Sequence, residues 1–288
     1  MTQIGLTLPP ISDGGAAVIT GAASGIGLAA ARRFAQLGMP VVLADLSGEK
    51  LRAAETSIRD GGGRVAAVPT DVSKPSDLER LRDLTHGQFG HVGVLMLNAG
   101  VGANPGGAWQ NLDGWRALMD INLWGVINGA QAFLPAMVGS GRPAYVIATG
   151  SKQGITTPPG NAAYNVSKAA LKAYTEALQH ELRNTAGDGI SAHLLIPGFT
   201  FTGLTGGGDL KEKPPAAWTA EQVVEFMLES LGRGDFYILC PDHDVTRQMD
   251  EKRMSWAMGD LIENRPALSR WHPDWQARFA AFMAERDD

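Results

Sequence analysis

The stretch Ala16-Ala-Val-Ile-Thr-Gly-Ala-Ala-Ser-Gly-Ile-Gly27 decides the fold. Ala16–Thr20 is a short apolar run closed by Gly21 and reads as a buried strand. From Gly25 the pattern turns helical and runs to Leu37, with Gly38 as its C-cap. Gly21, Gly25 and Gly27 make a G-x-x-x-G-x-G spacing. Glycine at such a strand–helix turn lets the backbone approach a pyrophosphate. The helix N-terminus adds N–H donors and a positive dipole. A tight turn that merely packs a helix on a sheet needs similar glycines, so the surroundings decide between the two. Asp45 ends the next strand, 18 positions after Gly27. A carboxylate there can accept both hydroxyls of a ribose and repels a 2′-phosphate. No Arg or Lys stands at Ala22, Ala23, Leu46 or Ser47 to welcome that phosphate. The expectation is NAD over NADP, with Gly21, Ser24, Gly25, Ile26, Gly27 and Asp45 around it.

The alternation continues outward from this turn. Strands are expected at Val41–Ala44, Val65–Val68, Val92–Leu97, Ala144–Ala148, Ile190–Ile196 and Phe236–Leu239. Helices are expected at Glu49–Asp60, Pro75–Phe89, Asp113–Met137, Asn161–Arg183 and Glu221–Leu231, with Asp113 and Asn161 as caps. Short apolar strands alternating with helices call for a parallel sheet covered on both faces. The fold class is therefore α/β: one domain with a sheet of seven strands covered by helices on both faces, plus a C-terminal helical extension. Residues 1–241 form the dinucleotide-binding and catalytic domain in this reading. Residues 242–288, rich in charge and holding Trp256, Trp271 and Trp275, pack on it or on a neighbouring subunit.

Composition agrees and removes other classes. Glycine supplies 36 of 288 residues, above the usual share of roughly 7%, without a Gly-X-Y period. With 44% hydrophobic and 19% charged residues the chain can bury a core. The net charge of −5 and the lack of a basic block argue against nucleic acid and anionic membrane as partners. Gly14–Ala31 and Ile121–Gly141 are free of charge but carry glycines, amides and a proline. A buried core explains them better than a membrane span. One cysteine, Cys240, excludes an intrachain disulfide and suits the reducing cytoplasm. Six histidines without metal spacing make a metal site improbable.

Tyr164 and Lys168 lie four apart on an expected helix and share a face. An ammonium beside a phenol favours the phenolate, which makes tyrosine a usable general acid–base. Ser151 follows the fifth strand, where a parallel sheet opens onto its ligand crevice. Its hydroxyl could hold a substrate oxygen.

In order along the chain stand Thr20–Gly27, Asp71-Val72, Asn98-Ala-Gly100, Asn122, Ser151, Tyr164-x-x-x-Lys168 and Pro197-Gly-x-x-x-Thr202. Together they resemble the short-chain dehydrogenase/reductase family over roughly Ala16 to Cys240. The resemblance implies a doubly wound, Rossmann-type α/β fold with seven parallel strands, a nicotinamide dinucleotide, and Tyr164 as proton donor or acceptor. Lys168 would bind ribose and modulate the tyrosine, Ser151 would anchor the substrate oxygen, and Asn122 would hold a water linking Lys168 to solvent. Asp71 and Val72 would contact adenine. Asn98, Gly100, Pro197, Gly198 and Thr200 would line the cofactor, and Thr202 would reach its carboxamide. A homodimer or homotetramer is implied as well.

Two departures stand out. Gly150 occupies a place where the family commonly carries a hydroxyl, which is expected to leave room near the substrate. The tail past Cys240 is also longer than in compact members.

Gln153, Asn161 and Phe199 flank the catalytic residues as candidate substrate contacts. Phe199–Lys213, with Gly203 and Gly206–Gly208, reads either as a lid that orders on binding or as an ordinary loop. Asn122–Gly129, Gly141–Pro143 and the long tail resemble the alcohol dehydrogenases of lignin aryl-ether breakdown. The function expected is NAD-dependent interconversion of a secondary alcohol and a ketone, with bulky and aromatic substrates favoured. The alternatives are a non-catalytic dinucleotide-binding sensor or scaffold, and an imine reductase, epimerase or dehydratase using the same residues.

Overall fold

The computed structural model describes residues 8–206 and 212–285. After one helical turn, α1 (Pro9–Ser12), strands and helices alternate: β1 (Ala16–Thr20), α2 (Gly25–Gln36), β2 (Val41–Asp45), α3 (Glu49–Asp60), β3 (Val65–Pro69), α4 (Pro75–Phe89) and β4 (Val92–Leu97). The next helical run is α5 (Leu112–Met119), a π-helical turn at Asp120–Trp124, and α6 (Gly125–Ser140). Then come β5 (Ala144–Thr149), α7 (Gln153–Thr156), α8 (Ala162–Ala186), β6 (Ile190–Ile196), α9 (Gly203–Gly206), α10 (Ala220–Arg233) and β7 (Tyr237–Leu239). The extension supplies α11 (Arg247–Ile262), two 3-10 turns at Ser269–Trp271 and Pro273–Trp275, and α12 (Gln276–Ala284).

The seven strands are parallel, in the order β3-β2-β1-β4-β5-β6-β7. Period-two burial sorts their side chains onto two faces. Ala17, Ile19, Val94, Met96, Ile147 and Leu195 join one core with α2, α3 and α10. Val18, Leu95, Leu97, Val146, Leu194 and Ile196 join the other with α4, α6 and α8. Both faces are covered, which is why these strands read as continuous apolar runs. The order reverses between β1 and β4. At such a switch point the loops leave in opposite directions and open a crevice beyond the strand ends.

Two helix starts differ from expectation. Asn111, not Asp113, caps the long helix: its side chain accepts from Gly114 N at 3.0 Å. Asp113 is the second residue inside. Asn161 does cap α8, accepting from Tyr164 N at 3.1 Å. The long helix is also interrupted by the π-helical turn that carries Asn122, which apolar periodicity alone does not reveal. Among the described residues no helix is long and apolar enough to cross a membrane.

The extension has a small core of its own. Trp256 on α11 is buried, with Trp275, Phe279 and Phe282 ringed around it at centroid distances of 5.2–6.3 Å. Its indole N–H donates to Ser269 Oγ at 2.7 Å, and the Arg265 guanidinium lies 4.4 Å from the ring centroid. One tryptophan thus organises about forty residues outside the sheet. Trp256→Ala is expected to cost about 3–5 kcal/mol. Limited proteolysis and thermal unfolding check this: the cuts should begin within residues 247–285.

Candidate active site

The ends of β1, β4, β5 and β6 converge on one cleft of about 760 Å³, inside the range of small-molecule sites. Every site residue expected from the sequence lines it except Gly27 and Asn122, which lie just behind its wall.

The glycine turn is built by close approach. Gly21 has φ +68°, and a Cβ there would sit 2.9 Å from Ala99 Cα. A Cβ on Gly27 would stand 2.2 Å from the Gly21 carbonyl oxygen. Ser24 makes no side-chain cap on α2, so the first N–H groups of that helix face the cleft without a side-chain partner. Asn98 locks the floor: its amide donates to the Thr20 carbonyl at 3.1 Å and accepts from Thr149 Oγ1 at 3.1 Å. Asp45 accepts from Ala23 N and Leu46 N, each at 2.8 Å. Those bonds orient the carboxylate at the glycine turn. A carboxylate has about four acceptor positions, so it keeps capacity for ribose hydroxyls. This cradle fits a dinucleotide. The Asp71 carboxylate turns away, to Ser73 and Lys74, and the Ser73 hydrogen bond holds it below the usual carboxylate range. Asp71 and Val72 thus reach the cleft mainly as wall.

At the other end stand Ser151, Tyr164 and Lys168. The N-cap at Asn161 fixes the start of α8, and with it Tyr164 three residues on. Asn161 also donates to the carbonyls of Gly102 and Ala103, at 3.4 and 3.1 Å. Its side chain is therefore spent on fixing the wall. Ser151 Oγ accepts from Gln153 N at 3.1 Å and stands in the same cleft as the Tyr164 phenol. Lys168 is fully buried and donates to the Thr149 carbonyl at 2.7 Å, with Nζ 5.8 Å from the Tyr164 ring centroid. Burial pushes this lysine down to about 8. Burial also raises the Tyr164 phenol, against the opposing effect of the Ser151 hydroxyl. The lowered phenol expected from the helix spacing is not found in the protein alone. Desolvation disfavours both charged forms, and the ammonium is held by Thr149 instead.

Asn122 is fully buried. Its side chain accepts from Val101 N at 2.8 Å and donates to Val101 O and Ser167 Oγ. It fixes the exit of β4 and makes no direct bond to Lys168. Gly150 also departs from expectation. A Cβ there would meet Leu194 at 3.0 Å, so its missing side chain faces β6 and leaves the substrate side unchanged. Phe199 is 37% exposed at the cleft mouth. In the segment expected as a lid or loop, Leu204 lies over Gly102. Residues 207–211, with Gly207 and Gly208, lie outside the described residues.

The known proteins agree with this geometry. A family model described as short chain dehydrogenase matches residues 15–212. The chain belongs to the short-chain dehydrogenase/reductase family. It is 37% identical to the 1-deoxy-11-beta-hydroxypentalenate dehydrogenase of Streptomyces exfoliatus, over 89% of this chain and 94% of that protein. A short-chain dehydrogenase/reductase from Burkholderia phymatum, solved with NAD, superposes with a TM-score of 0.79 at 32% identity, covering 88% of this chain and 95% of that one. A short-chain dehydrogenase from Sphingobium yanoikuyae, solved with NADPH, gives 0.72 at 27% identity, over 87% and 96%.

Lys152 escaped the sequence reading. It lines the cleft beside Ser151, yet its ammonium pairs with Asp242 and Asp250 of the chain's last fifth. No local pattern signals a partner some ninety residues away. The cradle itself gives a direct check on this short-chain dehydrogenase/reductase. Gly27→Ala forces strain of about 1–3 kcal/mol into the turn. NADH fluorescence titration should read dinucleotide binding weakened about tenfold or more. Gly87→Ala, at an open position on α4, should bind normally.

Proposed function

We propose that this short-chain dehydrogenase/reductase is an NAD(H)-dependent enzyme interconverting a secondary alcohol and a ketone. The observation that carries the reading is a single cleft that brings Ser151, Tyr164 and Lys168 together with the glycine cradle. Gly21, Ser24, Gly25 and Ile26 hold the pyrophosphate, with Gly27 keeping the approach open. Asp45 takes the adenosine ribose, and Val72 with the backbone of Asp71 flanks the adenine. Gly100, Pro197, Gly198, Thr200 and Thr202 flank the nicotinamide half. When bound, the dinucleotide accepts or gives the hydride.

The chain's own residues handle the proton. Ser151 holds the substrate oxygen against the Tyr164 hydroxyl. In oxidation Tyr164 Oη takes the alcohol proton, and in reduction it returns one to the ketone oxygen. Lys168 holds the nicotinamide ribose and keeps positive charge near the phenolate. Asn122 and Asn161 hold the walls that set these groups.

The substrate end suits a bulky, largely neutral molecule. Among the described residues both lysines in the cleft are engaged, Lys152 by carboxylates and Lys168 by Thr149. Val101, Ile121, Phe199 and Leu204 supply apolar wall, with Gln153 at the rim. The relative from Streptomyces exfoliatus is named for a hydroxyl-bearing substrate, which supports an alcohol here.

Residues 1–241 serve as the catalytic domain and 242–288 as the extension. Trp124 and Val166, each about half exposed, are apolar surface that a homodimer or homotetramer would cover. Buried Cys240, the single cysteine, suits the cytoplasm.

Two expected outcomes test the chemistry. Tyr164→Phe should keep dinucleotide binding and lower turnover by about 10²-fold or more; turnover near wild type on an alcohol and ketone panel would remove Tyr164 from the mechanism. In the wild type, oxidation needs the phenolate and reduction the phenol. Burial raises the phenol, so the protonated form prevails near neutrality. Oxidation rates should therefore climb with rising pH while reduction rates fall over the same interval.

Cofactor choice is tested separately. Asp45→Ala combined with Leu46→Arg should move the kcat/KM ratio toward NADP⁺. An unchanged ratio would show that Asp45 does not read the ribose.

A further inference from the structure

Three charged side chains meet beside Ser151, the two carboxylates buried and the ammonium largely so. Lys152 Nζ lies 2.5 Å from Asp250 Oδ2 and 3.6 Å from Asp242 Oδ2. The side chains are 19%, 8% and 6% exposed for Lys152, Asp250 and Asp242. Asp242 Oδ2 also accepts from Phe199 N at 3.1 Å, while its Oδ1 accepts from Val245 N at 2.8 Å. The Gly198 backbone lies against the pair: a Cβ there would meet Asp242 Oδ2 at 2.8 Å and Lys152 Nζ at 3.0 Å. One ammonium therefore joins three segments distant in sequence. They are the turn after β5, the Asp242 stretch after β7 with the β6 exit that it holds, and α11 of the extension.

Stability is a poor explanation for this arrangement. A buried ion pair roughly breaks even against apolar residues of the same volume. Its placement is more telling. Lys152 follows Ser151, and its carbonyl accepts from Ile155 N and Thr156 N to open α7. Ser151 itself is held by that turn, through Gln153 N on Oγ and Gly154 N on its carbonyl at 3.0 Å. α7 has little freedom on its far side, because a Cβ on Gly154 would stand 2.5 Å from the Lys168 backbone. The turn carrying Ser151 is thus clamped between α8 and the ion network. Phe199, on the substrate side of β6, is tied to the same Asp242.

We propose that Lys152 is a positioning residue that locks Ser151 and the Gly198–Phe199 strand exit to the C-terminal extension through Asp250 and Asp242. The extension thereby becomes part of the catalytic unit, because α11 supplies the carboxylate that the ammonium needs. Burial raises the Asp250 carboxylate, with Lys152 the chief group acting against it, so that carboxylate depends on the ammonium. The inference rests on the alcohol–ketone reading for the role of Ser151, but not for the existence of the clamp. Misplacing a reacting group by about 1 Å costs up to about a hundredfold in rate, and the clamp protects against that loss.

Lys152→Met, Asp250→Asn, Lys152→Arg and the uncharged double variant Lys152→Met/Asp250→Leu test it in the full chain. Lys152→Met and Asp250→Asn should each lower kcat about tenfold or more. KM and NADH affinity should stay near wild type. Lys152→Arg should recover most of the loss. The double variant should regain thermal stability without regaining kcat, which separates positioning from folding. A kcat that follows the melting temperature across the set would overturn the inference, as would wild-type turnover in Lys152→Met. Hydrogen exchange of the Gln153 and Gly154 amides needs no substrate. It should quicken in Lys152→Met, and unchanged protection there also overturns the clamp. A wild-type enzyme inert on the alcohol panel speaks against the alcohol–ketone reading, and the amide exchange still decides the clamp.

Discussion

The cleft depends on one close approach, that of the N-terminus of α2 to the ends of β1 and β4. Gly27 sits against the Gly21 carbonyl, and Gly21 against Ala99, with no room for a Cβ at either. Thr20 holds the other side, its hydroxyl accepting from Asn98 N and Ala99 N at 2.9 and 3.1 Å. Because the sheet order reverses here, the two loops part and leave a crevice. Had α2 begun a few ångströms further out, the cleft would persist but its anion-facing N–H groups would not reach it. The Asp45 carboxylate uses the same geometry, accepting from a backbone N–H of the turn.

Burial sets the chemistry at the opposite end. Tyr164 and Lys168 both lose hydration, so each resists its charged form. The ammonium is kept in place by a single carbonyl, that of Thr149, on the last residue of β5. A lysine pushed down to about 8 is still mostly charged at neutral pH, yet its charge is not stabilised by water. It is ready to interact with whatever polar group enters the cleft. The Ser151 hydroxyl favours the Tyr164 anion against that burial, so its placement bears on how readily the phenol gives up its proton.

The legible parts of the molecule were those with local causes. Apolar runs such as Ala16–Thr20, Val92–Leu97 and Ile190–Ile196 mark strands because both sheet faces are covered, and their bounds agree with the structure. The glycine spacing was readable because Gly21 and Gly25 take positive φ and Gly27 meets the Gly21 carbonyl six residues back. Ser151, Tyr164 and Lys168 were readable because one turn and one helix carry them. What escaped has non-local causes. The π-helical turn at Asn122 follows from its bonds to Val101 and Ser167, which no periodicity encodes. The missing side chain at Gly150 looked like space for substrate, but the neighbour that decides its direction, Leu194, comes from another strand. The raised phenol of Tyr164 likewise depends on burial, which spacing along a helix does not measure.

The extension shows the same distinction at a larger scale. Its aromatic residues were visible, and a packing role for Trp256 follows from its surroundings. Its connection to the site runs through Asp242 and Asp250, which look like ordinary surface carboxylates in the sequence. They are buried because α11 lies on α7 and closes water away from Lys152. A charge removed from water must find its opposite, so the lysine beside Ser151 and the carboxylates of the tail have to be considered as one unit. A substitution on α11 that leaves the cleft lining untouched can therefore reach the Ser151 hydroxyl, through Lys152 and the turn that holds Ser151.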